Sequence, residues 1–419
     1  MIVAKMTPES DILDFEVRQL PCYLAGMLRY LFLITCGLFF YSGHGQAVQL
    51  SPQAEIRVVT CGPGQNELYS AFGHSAYRVS DPAQGIEFIY NYGVFDFDQP
   101  YFYLNFARGH LNYKLSRHEY SRFRDYYIYM DRFIHEQILN LNMEEKQQLF
   151  EFLEWNNLPE NQYYFYDYFY DNCATRIRDA LTTVFGDKIA FDGSYITHKK
   201  SIRDLTDDYL QYQPWGDLGI DICLGLPMDI EATPYVHMFL PDYIESGFNH
   251  ATLNRDGEIL PLVRDVEIIY SSTETAIAKP FLTPTLVFWA VFAAILMITF
   301  FDYRNQRITK PLDLILFTVL GLLGLLLFLL WTVTDHRAAA DNLNVLWAFP
   351  LHLAGVVFLW RRKNKLIVKY FGFYTLLGSL TILGWFFLPQ HLHPALFPLA
   401  LGALLRSVFI YRHYKVSEA

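Results

Sequence analysis

The sequence is poor in cysteine, and its cysteines lie far apart. Among 419 residues there are five, with no Cys-x-x-Cys pair and no other metal-ligand spacing. Structural zinc sites need closely spaced ligands, so the sequence gives little support for a metal site. Cys22 and Cys36 lie in segments that we expect to be removed, which leaves Cys61, Cys173 and Cys223. An odd number leaves a thiol free, and one arrangement is a Cys61–Cys223 disulfide with Cys173 free.

Basic residues are also in deficit. Lys and Arg number 33 against 43 Asp and Glu, which gives a net charge of −10 at pH 7. Domains that bind nucleic acid concentrate positive charge on one face, so this charge gives no sign of a nucleic-acid partner. The chain also has no internal repeat, low-complexity tract or long linker. We expect neither a metal nor an organic cofactor.

Hydrophobic residues, in contrast, make up 52% of the chain and are unevenly distributed. Residues 48–280 have the composition of a soluble domain, whereas residues 281–419 contain apolar runs that are each long enough to cross a bilayer. We predict that this second part is an all-α membrane domain of five transmembrane helices: Phe281 to Phe301, Leu312 to Trp331, Leu343 to Trp360, Ile367 to Phe387, and Ala395 to Tyr411.

The loops between the apolar runs predict the orientation in the membrane. Basic residues lie between spans one and two, between spans three and four, and in the tail: Arg304, Arg307, Lys310, Arg361, Arg362, Lys363, Lys365, Arg412 and Lys415. Because cytoplasmic loops carry the excess of Lys and Arg, we predict that these three segments are cytoplasmic. The soluble domain then lies on the outer side of the bacterial inner membrane, in the periplasm.

A signal peptide is predicted before the soluble domain. Residues 27–47 contain a basic residue, an apolar core and then small residues, which is the pattern of a cleaved export signal. Met27 is then the natural start, and residues 1–26 are a mis-assigned or unstructured N-terminus. Export of the soluble domain agrees with the orientation that the loops predict.

One stretch of the soluble domain indicates a reactive cysteine. It reads YYFYDYFYDNCATRIR from Tyr163 to Arg178, and after Cys173 apolar residues recur at helical spacing. Cys173 is therefore predicted at a helix start, where Asp171 or Asn172 caps the free amides and the helix dipole favours thiolate over thiol. The alternative for a lone cysteine is a buried, inert side chain.

A second stretch, TCGPGQNELYSAFGHSAYRV, supplies a histidine. Gly73-His74 opens a strand-like alternation about a hundred residues before Cys173. This order resembles the circularly permuted papain-like hydrolases and acyltransferases, which include lecithin:retinol acyltransferase and permuted cell-wall amidases. The resemblance implies an α+β permuted papain-like fold, with His74 as the base and Cys173 as the nucleophile that takes an acyl group as a thioester.

A third, polar residue usually orients the imidazole in such a dyad. Asn91 is the candidate because it lies on the strand predicted from Gly85 to Tyr92, although Tyr90 and Tyr92 are one register step away. Tyr69 and Ser70, just before His74, are assigned to the same cleft as substrate-binding residues.

Two residues beside Cys173 are also candidates for substrate binding. Asn172 directly precedes the cysteine, and Arg176 follows it by less than one helical turn. The guanidinium of Arg176 suits either a lipid phosphate or a structural ion pair, and the sequence does not distinguish these roles.

The rest of the soluble domain is predicted to mix helices and strands. Phe95 to Arg108 is expected to include a short helix, and Asn142 starts a helix that ends at Trp155. The other expected segments are an extended Tyr126 to Leu139, helices at Ser201 to Tyr212 and Val236 to His250, and one strand from Glu258 to Tyr270.

The membrane domain carries polar residues of its own. His336, Asn342 and Asn344 fall at the outer ends of spans two and three. Apolar helices tolerate such residues when they have partners or face a water-filled groove, so we predict a notch there that faces lipid or substrate. An ordinary polar loop is the alternative. Arg406 in span five is expected to snorkel to cytoplasmic head groups.

Together these segments resemble one family. The TCGPG…ELYSAFGHSAYRV and YDNCATRIRD stretches, the segment Leu224 to Pro241 and the DH…NLNVLW stretch look like the Lnb family, the lipoprotein N-acyltransferases of Bacteroides-type bacteria. The resemblance implies transfer of a fatty acyl chain from a membrane phospholipid to the α-amino group of the lipidated N-terminal cysteine of a diacylglyceryl apolipoprotein. It maps the nucleophile to Cys173 and the base to His74.

Two other classes of function stay open from the sequence. A membrane-tethered cysteine amidase or peptidase would use the same dyad on cell-wall peptides, without needing polar membrane residues on the catalytic side. A non-catalytic membrane scaffold would carry a degenerate hydrolase domain, and loss of Cys173 would then affect stability alone.

Overall fold

The computed structural model describes residues 48–95, 99–273 and 279–416. The predictions for residues 1–47, namely the signal peptide, the start at Met27 and the removal of Cys22 and Cys36, lie outside the described residues. We keep the names soluble domain for residues 48–280 and membrane domain for residues 281–419.

The soluble domain is built around a seven-stranded antiparallel sheet. Its strands are β1 (Glu55–Cys61), β2 (His74–Asp81), β3 (Ile86–Val94), β4 (Asn112–Glu119), β5 (Ile134–Leu139), β6 (Tyr163–Phe165) and β10 (Val263–Tyr270). They lie in the spatial order β10-β5-β1-β2-β3-β4-β6. A smaller antiparallel sheet contains β7 (Ile189–Phe191), β8 (Ala251–Arg255) and β9 (Glu258–Pro261).

The single strand predicted from Glu258 to Tyr270 is wrong, because the segment forms two strands that belong to different sheets. Leu262 lies between β9 and β10 and donates its backbone N–H to Ala251 O at 2.9 Å. This bond ties the junction to β8 and directs the following residues into the large sheet.

Helices connect the strands of the soluble domain. They are α1 (Phe102–Arg108), α2 (Tyr120–Tyr129), α3 (Met143–Asn156), α4 (Cys173–Phe185), α5 (Ile202–Leu210), α6 (Pro214–Cys223), α7 (Pro234–His237) and α8 (Pro241–Asn249). The start of α3 follows the prediction, because Asn142 and Glu145 form a capping box. The predicted helix Val236 to His250 is two helices, since Pro241 begins a new one at its first turn.

Both faces of the large sheet are covered. On one face, α3, α4 and α8 pack against side chains such as Val58 and Tyr77. On the other face, α2 buries Tyr120, Phe123 and Tyr127. The extended conformation expected from Tyr126 to Leu139 is therefore wrong for its first residues, which belong to α2. The three buried residues recur at helical spacing, but this signal was ambiguous because aromatic residues also favour strands.

Four segments of the membrane domain are helices long and apolar enough to cross a membrane: Pro284–Arg304, Lys310–Val333, Asn364–Phe387 and Pro394–Val416. They contain α9 (Pro284–Arg304), α10 (Lys310–Val333), α12 (Asn364–Gly384) and α13 (Phe397–Val416). Hydrogen bonds join the soluble domain to the membrane domain near Leu282, Asp335 and Gln390. These three residues lie near the helix ends that are opposite to the predicted cytoplasmic loops.

The third predicted span, Leu343 to Trp360, is not one long helix. It consists of a 3₁₀ turn at Leu343–Leu346, a non-helical link and the nine-residue helix α11 (His352–Trp360). Tyr374 donates its hydroxyl to Trp347 O at 2.9 Å, and Tyr374 lies about 15 Å along α12 from its start. Non-helical backbone is tolerated at such a depth where protein surrounds it, and Trp347 is buried.

Arg406 does not snorkel to the membrane surface, which corrects the sequence expectation. Its guanidinium is buried and binds Asp313 at 2.7 and 2.9 Å, Asp302 at 3.0 Å and the hydroxyl of Thr299 at 3.1 Å. Two carboxylates satisfy a charge that would otherwise be unpaired in an apolar environment. The residue therefore joins α9, α10 and α13.

Candidate active site

Cys173 is the first residue of α4, as the sequence predicts. Asn172 is the N-cap, and its Oδ1 accepts hydrogen bonds from the amides of Ala174 at 2.8 Å and Thr175 at 2.9 Å. The Asn172 amide group also donates to Tyr168 O and Phe239 O, both at 2.8 Å. Asn172 thus fixes the helix start, and the predicted alternative cap, Asp171, is used elsewhere.

His74 is the first residue of β2. Gly73 before it has φ of +80°, and a side chain there would bring a Cβ within 2.9 Å of Cys61 O. Glycine at this position lets the chain turn tightly into the strand. The His74 ring stacks near Tyr127, with centroids 6.3 Å apart.

Asn91 lies beside this histidine. Its Oδ1 is 2.6 Å from His74 Nε2, which is hydrogen-bond distance. Because an amide oxygen can only accept, Nε2 carries the hydrogen and donates it. In that tautomer Nδ1 is left unprotonated and is the ring atom able to accept a proton. Tyr90 and Tyr92, which the sequence left as alternatives, instead donate their hydroxyls to Glu154 and Asn156.

The sulfur of Cys173 lies next to the strand that carries the histidine. The backbone amide of Ser75, the residue after His74, acts on the Cys173 thiol group in the direction that lowers its pKa. Both Cys173 and His74 line the same cavity. The structure thus brings together three residues that are distant in the sequence: Cys173, His74 and Asn91.

Burial favours the neutral forms of His74 and Cys173. Burial lowers the pKa of His74 to about 4, although the bond to Asn91 acts in the opposite direction. Burial raises the pKa of Cys173 to about 11, against the effect of the amides of Ser75 and Ala174. The amides at the helix start therefore act in the expected direction, towards the thiolate, but burial has the larger effect on the pKa of Cys173.

The cavity has a volume of about 690 Å³ and is mostly apolar. This size falls within the range of about 300–1,000 Å³ that is usual for small-molecule sites. Its wall in the soluble domain includes Phe72, Phe95, Phe106, Leu111, Tyr113, Tyr166, Phe169, Trp215, Ile220 and Leu240. Its wall in the membrane domain comprises Leu330 and residues 335–339. One space therefore connects Cys173 with the outer end of α10.

Three of the predicted substrate-binding residues, Tyr69, Asn172 and His336, line this cavity. Two others do not. Ser70 is buried and donates its hydroxyl to Gly64 O and Glu67 O, both at 2.8 Å.

Arg176 is also used structurally, which answers the choice that the sequence left open. It forms an ion pair with Asp171 at 2.5 and 2.6 Å and lies 4.1 Å from the centroid of the Tyr164 ring.

Asn342 and Asn344 are buried and do not line the cavity, so the predicted notch is not found at these side chains. Their amide groups donate to Ile222 O at 2.9 and 3.3 Å. Ile222 lies in the last turn of α6, whose final carbonyl groups need donors from outside the helix. The two asparagines therefore join the membrane domain to the soluble domain.

Helix α6 forms a wall of the cavity that sequence analysis missed. Gly216, Gly219, Ile220 and Cys223 line the space, and a Cβ added at Gly219 would meet no heavy atom within 4 Å. Glycines three residues apart in an apolar helix were the available sequence signal. Cys61, Cys173 and Cys223 are all free thiols, so the Cys61–Cys223 disulfide is absent.

Comparisons with known proteins agree with this division into two parts. Among the described residues no group of three or more His, Cys, Asp or Glu is arranged to hold a metal ion. No curated protein and no solved structure matches the chain. The family model described as the Lnb N-terminal periplasmic domain matches residues 48–207, and the one described as the Lnb transmembrane domain matches residues 276–417. The chain is therefore a membrane protein with a periplasmic domain, and it belongs to the Lnb family.

Proposed function

We propose that this protein is a lipoprotein N-acyltransferase of the bacterial inner membrane. It takes a fatty acyl chain from a phospholipid, holds it as a thioester on Cys173, and transfers it to the α-amino group of the N-terminal lipidated cysteine of an apolipoprotein. The placement of His74 at a strand start and Cys173 at a helix start supports a permuted papain-like arrangement. Membership of the Lnb family supports a role in lipoprotein processing.

The observation that carries the proposal is the cavity shared by the two domains. Cys173 and His74 lie in its wall together with Leu330 and Ala338 of the membrane domain. A phospholipid keeps its ester groups near the membrane surface, so a nucleophile must reach that level while the acyl chain stays in apolar surroundings. An apolar cavity that continues from Cys173 to the outer end of α10 meets both requirements.

The first half-reaction forms the thioester. His74 Nδ1 takes the proton of Cys173 as the sulfur attacks the ester carbonyl, so that charge develops only during attack. The amide of Cys173 at the helix start is suited to stabilise the oxyanion. The ester C–O bond then breaks, and the imidazolium gives its proton to the departing lyso-lipid alcohol.

The second half-reaction forms the amide. The neutral amine of the lipoprotein attacks the thioester carbonyl, and His74 accepts the amine proton. The C–S bond breaks, the thiolate takes the proton from His74, and the amide product leaves. Asn91 acts as a positioning residue, because its bond to Nε2 keeps Nδ1 free to accept protons.

The apolar wall also distinguishes this proposal from the cell-wall amidase. A peptide of the cell wall carries many polar groups, and each would lose its hydration in a cavity lined by Phe72, Phe169 and Ile220. A fatty acyl chain has no such penalty.

Trapping the thioester tests the proposed function. Purified protein given phospholipid without an amine acceptor should gain the mass of one acyl group, and neutral hydroxylamine should remove it. Cys173→Ala should abolish the adduct, and His74→Ala should slow its formation by roughly 10²- to 10⁴-fold, as loss of a general base does. Cys61→Ala is the matched control and should still form it. An adduct that persists in Cys173→Ala would refute the assignment.

A further inference from the structure

Helix α1 of the soluble domain presents an unusually apolar surface to its surroundings. None of its seven residues is buried. Tyr103 is 81% exposed and Tyr101, its N-cap, is 78% exposed, and Leu104 is also exposed. Water-exposed aromatic residues on one short helix indicate an interaction site, since soluble surfaces rarely carry such a patch without a partner.

The position of α1 is fixed by the membrane domain. Arg108 O accepts a hydrogen bond from the backbone amide of Asp335 at 2.9 Å, and His336 Nε2 donates to Phe106 O at 3.1 Å. The Asp335 carboxylate also binds His110 Nε2 at 2.5 Å. Asp335 lies two residues beyond Val333, the last residue of α10. The helix is therefore held at the level where a membrane span ends.

The patch continues on both sides of α1. Val333 at the end of α10 is 70% exposed, as expected for a side chain that faces lipid. On the other side, Phe165 of the edge strand β6 is 67% exposed, and its ring lies 5.7 Å from that of His110. Val333 and Phe165, with α1 between them, continue the apolar surface of α10 onto the soluble domain.

We propose that α1 inserts its exposed apolar side into the outer leaflet of the bilayer and forms the lipid-side edge of the cavity. Continuity with the lipid-facing surface of α10 identifies the bilayer as the occupant, rather than a second protein. Tyrosine is enriched where membranes meet water, and the exposed guanidinium groups of Arg108 and Arg337 are placed to meet lipid phosphates.

The location of α1 gives this contact a consequence for the cavity. Phe106 and Gly109 line the same space as Cys173, while Tyr103 and Leu104 face outward. The helix thus stands between the bilayer and the cavity. If the proposed acyl transfer is correct, an acyl chain that leaves the leaflet passes this edge to reach Cys173; the insertion itself does not depend on that chemistry.

Fluorescence quenching measures the insertion directly in the full-length protein. With the native cysteines replaced by alanine, a bimane label at Leu104→Cys is compared with one at Ile259→Cys, which is also exposed but belongs to β9 of the small sheet. In vesicles of phosphatidylethanolamine and phosphatidylglycerol, nitroxide on the upper acyl chain should quench the label at 104 and not at 259. Aqueous iodide should show the reverse. Quenching at 104 by iodide overturns the proposal, and protection from both quenchers shows that a protein covers the helix instead.

A paired substitution tests the access role. Tyr103→Asp with Leu104→Asp should lower the rate of Cys173 acylation from vesicle phospholipid by roughly tenfold or more, since burying each of these side chains is worth about that factor. Tyr103→Phe with Leu104→Phe should restore it. Alkylation of Cys173 by iodoacetamide should stay unchanged in both variants, because the thiol environment is intact. Equal acylation rates in the Asp and Phe variants would refute the access role, even if quenching confirms that α1 is inserted. Absence of acylation in the unaltered protein would refute the proposed function and leave the insertion of α1 standing.

Discussion

The soluble domain and the membrane domain each bury an arginine between two aspartates, and the two clusters differ in what surrounds them. In the membrane domain, Arg406 and its partners Asp302 and Asp313 all have fully buried side chains. Removing one member leaves a charge with no access to water. This cluster supports the helices among themselves, far from the cavity.

The corresponding cluster of the soluble domain lies at the joint between the domains. Arg203 binds Asp221 at 2.6 Å and Asp229 at 2.9 Å, and its remaining N–H groups donate to Leu224 O and Gly225 O at 3.2 Å. The amide of Gly225 in turn donates to a carbonyl of the membrane domain, Ala338 O, at 2.7 Å. This arginine therefore orders the backbone that contacts the membrane domain.

At Gly225 the joint between the domains is packed too closely to hold any side chain. A Cβ at Gly225 would lie 1.7 Å from Ala340 O, so the backbones of the two domains are in direct contact there. Ala338 and Ala339, adjacent to this contact, line the cavity. The difference between the two clusters is thus one of role: one holds the membrane helices together, and the other holds the cavity wall in place.

The largest expected effect is from breaking the membrane cluster. Arg406→Leu leaves Asp313 buried without its cation and leaves Asp302 with the exposed Arg307, 3.6 Å away, and breaking such a buried pair costs about 3–5 kcal/mol. We expect low abundance and a lower melting temperature in detergent. Arg412→Leu on the same helix is the control, because Arg412 is exposed and should change little. A normal melting temperature for Arg406→Leu would show that the cluster does not hold the helices.

Sequence analysis succeeded where the signal is local. The helix start at Cys173 and its Asn172 cap follow from neighbouring residues, as does the strand that opens at His74. The pairing of the next strand, β3, with β2 agrees with the choice of that strand for the third residue, but the register that selects Asn91 over Tyr90 and Tyr92 came from the structure.

Features that depend on distant residues could not be read in the same way. Arg406 lies 93 residues from Asp313, so nothing near it in the sequence indicates that it is paired rather than exposed. The pKa of Cys173 depends on burial by other segments, which no local pattern shows. The third span is mostly apolar, and the break before α11 follows Pro350, a local signal that sequence analysis did not use. The partner of Asn342 and Asn344 was not readable, because Ile222 lies about 120 residues earlier.

An intermediate effect is expected at the joint. Asn342→Leu removes the shorter of two hydrogen bonds to Ile222 O, and an under-satisfied buried carbonyl costs about 1–3 kcal/mol. We expect normal insertion and abundance but slower acylation of Cys173 from phospholipid, with alkylation by iodoacetamide unchanged. Asn305→Leu, at an exposed position after α9, is the control. If Asn342→Leu acylates at the normal rate, the joint does not position the cavity wall.

The smallest effect concerns a proton near Arg203. Burial, together with the charges of Asp221 and Asp217, raises the pKa of Asp207 to about 8. Between about pH 4 and 8 this carboxyl is therefore protonated in the folded protein, whereas in the unfolded chain it has lost its proton. Folding then binds a proton, and the resulting stability is present below about pH 4 and is lost as the pH rises through about 8. Asp207→Asn has no proton to lose, so its melting temperature should exceed that of the unaltered protein increasingly as the pH rises from about 4 to about 8, and the difference should level off above that pH. Asp208→Asn is the adjacent control: Asp208 is exposed and paired with Lys200, and its loss should bring no such gain. A pH-independent difference for Asp207→Asn would mean that the Arg203 cluster, like that of Arg406, carries no titrating carboxylate beyond its two partners.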